Sequence, residues 1–271
     1  SLDEYVLKNG IEEIIVAMGE RRNKFPVKEL INCRLSGVDV VELPTFLERQ
    51  MSRVYVELLD PSWIIFSDVF RQNTLKSIGT RTFDIFASLL MLVATMPLLL
   101  AGAIGIMIES KGKGTLFYKQ NRVGQGNKTF ELLKFRSMCE NAEAETGAKW
   151  ASANDSRITR VGKVLRKYRI DELPQLINIL KGEMSLVGPR PERPEFVSQL
   201  SEKIPFYSER HRVKPGLAGW AQMRYPYGST ENDAIEKLKY DLYYVKNRSL
   251  IFNLAILIQT AEIVLWGKGA R

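Results

Sequence analysis

Residues 85–108 read IFASLLMLVATMPLLLAGAIGIMI, 24 consecutive positions without a charged side chain. A helix needs about 20 apolar residues to cross a bilayer core, so by length this run can span. Two features predict a different path. Pro97 falls at its middle, where the missing N–H and the clash of the ring with the preceding turn bend or break a helix. The flanks are cationic on both sides: Arg71, Lys76 and Arg81 precede the run, Lys111, Lys113, Lys119 and Arg122 follow it, and only Asp84 and Glu109 oppose them. Because positive segments stay cytoplasmic, both ends are expected on one side, with residues 83–108 entering the membrane, breaking at Pro97 and returning. Such a re-entrant helix needs partners for the backbone groups freed at the break, and the hydroxyls of Ser88 and Thr95 are candidates. A straight or kinked transmembrane helix and a buried core helix are the alternatives.

On the N-terminal side of this run, residues 1–75 carry 9 basic and 12 acidic side chains, so the net charge of +8 is concentrated beyond them. Glu12–Met18 and Val38–Leu43 are short β-branched runs, an amphipathic stretch near Val27–Cys33 lies between them, and Ser62–Ser67 is a third apolar run. This predicts part of an open α/β sheet, serving structure or assembly. No GxGxxG opens a helix here, so a dinucleotide site is not supported. The polar, Gly-containing stretch Arg71–Gly79 marks the boundary to a second domain, residues 76–271. Ser1 is preceded by no Met or leader pattern, which reads as a piece excised from a longer protein.

On the C-terminal side, Thr115–Gln120 and Thr129–Phe135 are expected as two strands of a hairpin turning at Arg122–Asn127. Glu140–Asn154 is expected as a loop or an exposed helix. Ile158, Val161, Val164, Leu165 and Tyr168 follow helical spacing, with Arg157, Arg160, Lys163, Arg166, Lys167 and Arg169 on the other faces. This basic helix suits a solvated or headgroup-facing surface. Leu250–Trp266 is apolar but interrupted by Asn253, Gln259, Thr260 and Glu262, so a helix packed on the domain or lying in the interface is preferred over a span. Tyr240, Tyr243, Tyr244 and Trp266 fit interface anchors or core aromatics.

Composition narrows the chemistry. The length of 271 residues allows one large or two modest domains, and 45% hydrophobic residues exclude a disordered chain. His211 is the only imidazole, which removes multi-His zinc sites and leaves His211 a structural reading. Cys33 and Cys139 are too far apart for a CxxC pair and read as free thiols of a reducing compartment. Carboxylates, Arg and Lys must then carry any reaction. Asp171 and Glu172 stand adjacent in RIDELPQ, residues 169–175, directly after the basic helix. Alone, that pattern is also what a helix N-cap looks like. Residues 182–191, GEMSLVGPRP, add a rigid Gly/Pro turn suited to presenting Arg190 to an anion. A membrane segment, a basic helix, a carboxylate pair and such a loop are the parts needed to handle a phosphate ester on a lipid.

Six ordered motifs, KFRSM (134–138), DSRITRVG (155–162), LRKYRIDELPQL (165–176), GEMSLVGPRP (182–191), KPGLAGWAQ (214–222) and DLYYVKNRSL (241–250), resemble the bacterial sugar transferase family, the monotopic polyprenyl-phosphate phosphoglycosyl transferases. The resemblance covers residues 76–266. Residues 224–229, RYPYGS, resemble the exopolysaccharide-associated branch, and residues 1–75 resemble the end of the Rossmann-like accessory domain of its large members. The fold implied is a Rossmann-like α/β fragment followed by a mixed α+β catalytic domain with a membrane-embedded helix. The activity implied is transfer of sugar 1-phosphate from a UDP-sugar to polyprenyl phosphate, releasing UMP, at the cytoplasmic face of the bacterial inner membrane. By this resemblance Asp171 is the nucleophile and Glu172 its partner, the two serving as Mg²⁺ ligands with Glu172 near the ion or near the incoming lipid phosphate, while Lys134, Arg166 and Arg190 bind substrate phosphate. Membrane lipid and a homodimer partner are further implied. Family members commonly place Ser before the helix-breaking Pro; here that residue is Met96, which leaves Thr95 or a neighbouring helix to satisfy the break. The competing readings are a non-catalytic basic scaffold at the membrane interface and a nucleic-acid binder, the latter without any binding motif.

Overall fold

The structure, a computed structural model, describes residues 2–18, 25–59, 74–139, 155–226, 228 and 230–265. The apolar run at Ser62–Ser67, the expected loop or helix at Glu140–Asn154 and the candidate anchor Trp266 lie outside the described residues. The chain divides into two compact units, residues 1–63 and 64–271.

In the first unit, helix α1 (Leu2–Lys8) precedes strand β1 (Glu13–Val16), helix α2 (Val27–Leu35), strand β2 (Asp39–Glu42) and helix α3 (Leu43–Met51). The strands pair in parallel, Glu13 opposite Asp39 through Val16 opposite Glu42, so β1–α2–β2 is a βαβ unit. Val6, Cys33 and Val38 form its buried centre, packed by Leu2, Ile11 and Ile14. The β-branched runs and the helix between them therefore fall where the pattern placed them.

The second unit opens with helix α4 (Thr74–Glu109), 36 residues long. At 1.5 Å per residue it extends ~54 Å if straight. Pro97 lies inside the helix and does not end it, so of the bend or break expected there the break is absent. The hydroxyls also act otherwise than expected. Proline removes the N–H that would reach the Val93 carbonyl. The Thr95 hydroxyl instead donates to the Met91 carbonyl (2.7 Å), and the Ser88 hydroxyl is buried without a partner among the described residues. Only 11% of the most apolar window is buried, with Phe86, Leu90, Val93 and Ile108 each at least 65% exposed, which removes the buried core helix as an alternative.

Both halves of α4 nevertheless pack on the same unit. Before Pro97, Phe83, Ala87, Met91 and Leu92 join a core built on Leu176, Ile179, Met184 and Leu186. Each fully buried aliphatic side chain there contributes roughly 1.5–3 kcal/mol. After Pro97, Leu99, Ala103 and Ile106 pack with Phe135 and Leu165. Gly102 makes that approach feasible, since a Cβ there would sit 3.2 Å from Leu165 Cδ2.

Strands β3 (Phe117–Val123) and β4 (Thr129–Phe135) form the expected antiparallel hairpin, Phe117 opposite Phe135 and Val123 opposite Thr129. Helix α5 (Arg160–Lys167) follows, then α6 (Gln175–Lys181) and the short strand β5 (Ser185–Val187). Strand β5 pairs in parallel with β6 (Gly216–Ala218). Between these strands lies α7 (Pro194–Lys203), and after them α8 (Trp220–Arg224), α9 (Glu231–Asn247) and α10 (Leu250–Leu265). Helix α10 is packed on the domain, as preferred: Asn253 and Ile256 are buried and Ile251 and Ile258 face outward. The tyrosines of α9 belong to the core, because Tyr244 is buried and Tyr243 stacks on Trp220. On α5, Leu165 is buried, whereas Val164 and Tyr168 are exposed rather than part of the inner face.

Polar residues fasten α4 at both ends. Arg81 donates to the carbonyls of Ile179 and Leu180 (2.7 Å to the latter) at the C-terminus of α6. Glu109 accepts from the N–H groups of Arg160 (2.8 Å) and Val161 (3.0 Å) at the N-terminus of α5. Each charge has the sign the helix dipole favours at that terminus. The buried Asp84 accepts from the Leu186 N–H (3.1 Å) of β5.

Candidate active site

Asp171 and Glu172 occupy a single 3₁₀ turn, Ile170–Glu172, between α5 and α6. Arg169 precedes it in the left-handed region, φ 57°, a conformation costing of order 1–3 kcal/mol in a non-glycine residue. The reversal turns the chain from the basic helix into the carboxylates. Helix α6 begins three residues after Glu172 with Pro174 at its N-cap and no side-chain cap bond, so Asp171 is not a helix cap.

Three basic side chains from three elements meet Glu172. Lys134 Nζ from β4 lies 3.4 Å and Arg190 Nη2 from the loop after β5 lies 3.3 Å from Glu172 Oε1, while Arg169 Nη1 lies 3.8 Å from Oε2. Burial alone would raise the Glu172 carboxyl, but the charges of Lys134, Arg190 and Arg169 outweigh it and hold the group down at about 2. Asp171 goes the other way. It is buried, and burial together with the neighbouring Glu172 charge raises its carboxyl above the usual aspartate range, against Lys134, Arg166 and Arg169. Two adjacent carboxylates thus differ: one is a fixed counter-ion, and the other is the more basic. No hydrogen bond engages the Asp171 carboxylate among the described residues. Burial and the neighbouring Arg190 lower the Lys134 ammonium, with Glu172 and Asp171 acting against them.

Local packing explains how these groups are aimed. Arg166, five residues before Asp171, donates from Nε to the Ser137 hydroxyl (2.8 Å) rather than to a carboxylate. Ser137 in turn is seated on α5: its carbonyl accepts from Thr159 N–H (3.1 Å), and a Cβ at Gly162 would lie 2.1 Å from that carbonyl oxygen. Only glycine permits the contact. Lys134 is placed by a buried asparagine, because Asn178 accepts from Leu133 N–H (3.0 Å) and donates to Glu131 O (2.8 Å) along the unpaired edge of β4.

The five predicted residues therefore share one neighbourhood, with Lys134, Glu172 and Arg190 in direct contact and Asp171 and Arg166 beside them. Ser137, Arg169 and Asn178 were not singled out from sequence. Ser137 lies within the KFRSM motif, and Asn178 is a lone polar residue in the apolar run LINIL, a signal that could have marked both. His211 is structural as read: its Nδ1 contacts Asn127 Oδ1 (2.8 Å), and burial with the nearby Arg210 charge depresses the ring to about 3.

No group of three His, Cys, Asp or Glu that could hold a metal occurs among the described residues. A pair of adjacent carboxylates beside a cup of basic side chains nonetheless suits Mg²⁺, which is commonly held by one or two carboxylates with substrate phosphates completing the shell.

Residues 75–267 match the family of bacterial sugar transferases. The chain is 42% identical over 242 residues to a UDP-N-acetylgalactosamine-undecaprenyl-phosphate N-acetylgalactosaminephosphotransferase of Aeromonas hydrophila, covering 89% of this chain and 56% of that protein. It is 39% identical over 278 residues to a UDP-glucose:undecaprenyl-phosphate glucose-1-phosphate transferase of Xanthomonas campestris pv. campestris, covering 99% and 56%. It is 40% identical over 195 residues to the exopolysaccharide production protein PSS of Rhizobium leguminosarum bv. phaseoli, covering 70% and 96%. The chain thus spans about half the length of the first two relatives. A match over most of the chain, with the carboxylate pair and its basic cup inside it, shows that this chain belongs to the bacterial sugar transferase family.

Proposed function

We propose that the protein transfers sugar 1-phosphate from a UDP-sugar to polyprenyl phosphate, releasing UMP, as an initiating step of exopolysaccharide or glycoconjugate synthesis. The observation that carries this reading is the opposed state of the two carboxylates: Glu172 neutralised by three cations, and Asp171 buried beside it, more basic and without a hydrogen bond among the described residues.

A carboxylate approaching a diphosphate meets like-charge repulsion, and phosphoryl transfer depends mainly on positioning and charge neutralisation. Lys134, Arg166 and Arg190 supply the positive field. An Asp171 oxygen forms a bond to the sugar-bearing phosphorus as the bond from that phosphorus to the bridging oxygen breaks, and the electron pair leaves with UMP. An oxygen of polyprenyl phosphate then attacks the same phosphorus, and the Asp171 carboxylate departs, leaving a polyprenyl diphosphate-linked sugar. Asp171 and Glu172 would hold Mg²⁺ together with substrate phosphates, where the ion would neutralise developing charge.

The same reading places the catalytic domain on the cytoplasmic face of the bacterial inner membrane, with α4 re-entrant. Support comes from the packing of both halves of α4 on one domain: a helix whose residues 83–92 and 99–106 both touch a single folded unit keeps its ends on that unit's side. Residues 1–75 are read as the C-terminal part of a Rossmann-like accessory domain. A purely structural scaffold is disfavoured because Asp171 caps no helix.

The test is UMP release from a panel of UDP-sugars with polyprenyl phosphate and Mg²⁺. Wild-type protein should release UMP with at least one donor, and Asp171→Asn should release none above background. Full turnover by Asp171→Asn would end the proposal.

A further inference from the structure

The segment that delivers Arg190 is held at nearly every residue. The Tyr244 hydroxyl donates to the Val187 carbonyl (2.9 Å), and Gly188 N–H donates to Ala218 O (2.9 Å). The next four carbonyls each accept from a different place: Pro189 from Gly216 N–H (2.9 Å), Arg190 from Arg210 Nη2 (3.0 Å), Pro191 from Arg122 Nη1 (3.0 Å) and Glu192 from Val123 N–H (2.9 Å). The donor at Arg190 itself differs from the others, because it is a sealed charge. The Arg210 side chain is only 5% exposed, and that of its partner Asp241 only 3%. Arg210 Nη2 lies 2.7 Å from Asp241 Oδ2, and Nη1 donates to the Tyr207 hydroxyl (2.9 Å).

Among the described residues, the Arg210 guanidinium thus bonds to the protein itself: Asp241, Tyr207 and the Arg190 carbonyl. Stability does not account for it, since a buried ion pair is often no more stabilising than well-packed apolar residues of the same volume. What an apolar pair cannot supply is an N–H at the carbonyl of Arg190. Arg210 can, because its planar fork is fixed on Asp241 and Tyr207 and leaves a direction for the third bond. We propose that Arg210, locked by Asp241, is a positioning residue for sugar-phosphate transfer: it fixes the backbone of Arg190 so that the Arg190 guanidinium meets Glu172 and the donor phosphate. The inference deepens the transferase reading and rests on it for the phosphate. A displacement of about 1 Å in such a group costs on the order of 10²-fold in rate.

Two measurements on the same variants test it. Arg210→Lys keeps the charge opposite Asp241 but cannot serve three acceptors in a fixed plane. It should lower kcat for UMP release roughly 10- to 100-fold while its thermal midpoint stays near wild type. In a double-mutant cycle, Arg190→Ala with Arg210→Lys should be no slower than Arg190→Ala alone, because Arg210 acts only through Arg190. Independent, multiplying losses would overturn the proposal, as would wild-type kcat in Arg210→Lys. Hydrogen exchange read by mass spectrometry across residues 185–192 gives a readout that needs no turnover: exchange should rise there in Arg210→Lys and stay unchanged in α9 and α10. If wild-type protein releases no UMP from any donor, the transferase reading fails, while unaltered exchange in the loop would separately remove Arg210 from its positioning role. Should Arg210→Lys fail to fold, Arg210→Met combined with Asp241→Leu replaces it as an apolar pair, with the same expected losses in kcat and loop protection.

Discussion

Replacing Lys134 by Met should move the acid limb of the pH–rate profile upward. Lys134 is the strongest cation opposing the rise of the Asp171 carboxyl and also contacts Glu172 at 3.4 Å. A nearby opposite charge typically lowers a carboxyl by ~1–3 units. Met keeps the length of the side chain and removes the charge, so the Asp171 carboxyl, already raised by burial, rises further. The sign follows directly: the attacking group must be ionised, so activity falls on the acid side, and the limb should shift up by ~1–3 units, each worth ~1.4 kcal/mol or tenfold in rate along the limb. UMP release under saturating donor, measured from pH 5 to about pH 9.5, would show the variant much slower than wild type near neutrality and recovering as pH rises. A variant whose limb coincides with that of wild type, or whose loss is the same at every pH, would refute the electrostatic account and leave Lys134 at most a phosphate ligand.

Four further outcomes are expected. Incubation with labelled UDP-sugar, without polyprenyl phosphate, should leave label on the tryptic peptide containing Asp171 in wild type and not in Asp171→Asn, as read by mass spectrometry. Glu172 ionises more readily folded than unfolded, so its contribution of ~3 kcal/mol is present above pH 4.5 and lost as pH falls toward about 2; urea melts of wild type and Glu172→Gln should differ most near neutrality and converge in that acid window. Gly162→Ala should cost about 1–3 kcal/mol by overpacking and impair turnover through Arg166, because its methyl would strike the Ser137 carbonyl; normal melting would contradict the close approach. Single cysteines at Gly79 and Lys113, in a background with Cys33 and Cys139 replaced, should both react with an impermeant maleimide from the same side of sealed vesicles, and labelling from opposite sides would establish a span.

The apolar run, the hairpin, the basic helix and the βαβ unit were legible because each rests on a local pattern: absence of charge, alternation, or helical spacing. The carboxylate pair and the basic residues around it became legible only through their order along the chain, since adjacent acids alone fit a helix cap equally well. What the sequence left hidden depends on long-range contact. Nothing in the neighbourhood of Asn178 announces that its amide completes the edge of a strand some 45 residues away. Arg210 and Asp241 are likewise too distant in sequence to be paired by spacing. Pro97 is a related case: local chemistry predicts a bend or a break there, whereas the helix continues through it while both its flanks pack on the domain. The Thr95 hydroxyl, expected to mend that point, is engaged two residues earlier on Met91.

The grip of α4 on its neighbours has a practical consequence. Its last residue, Glu109, clasps the start of the helix before the dyad, and Arg81 clasps the end of the helix after it. The apolar helix is therefore a brace for the carboxylate pair, and trimming it away to gain solubility would remove both clasps. Solubility would have to be engineered by recolouring its outward residues, such as Phe86, Leu90 and Val93, while both clasps are left in place.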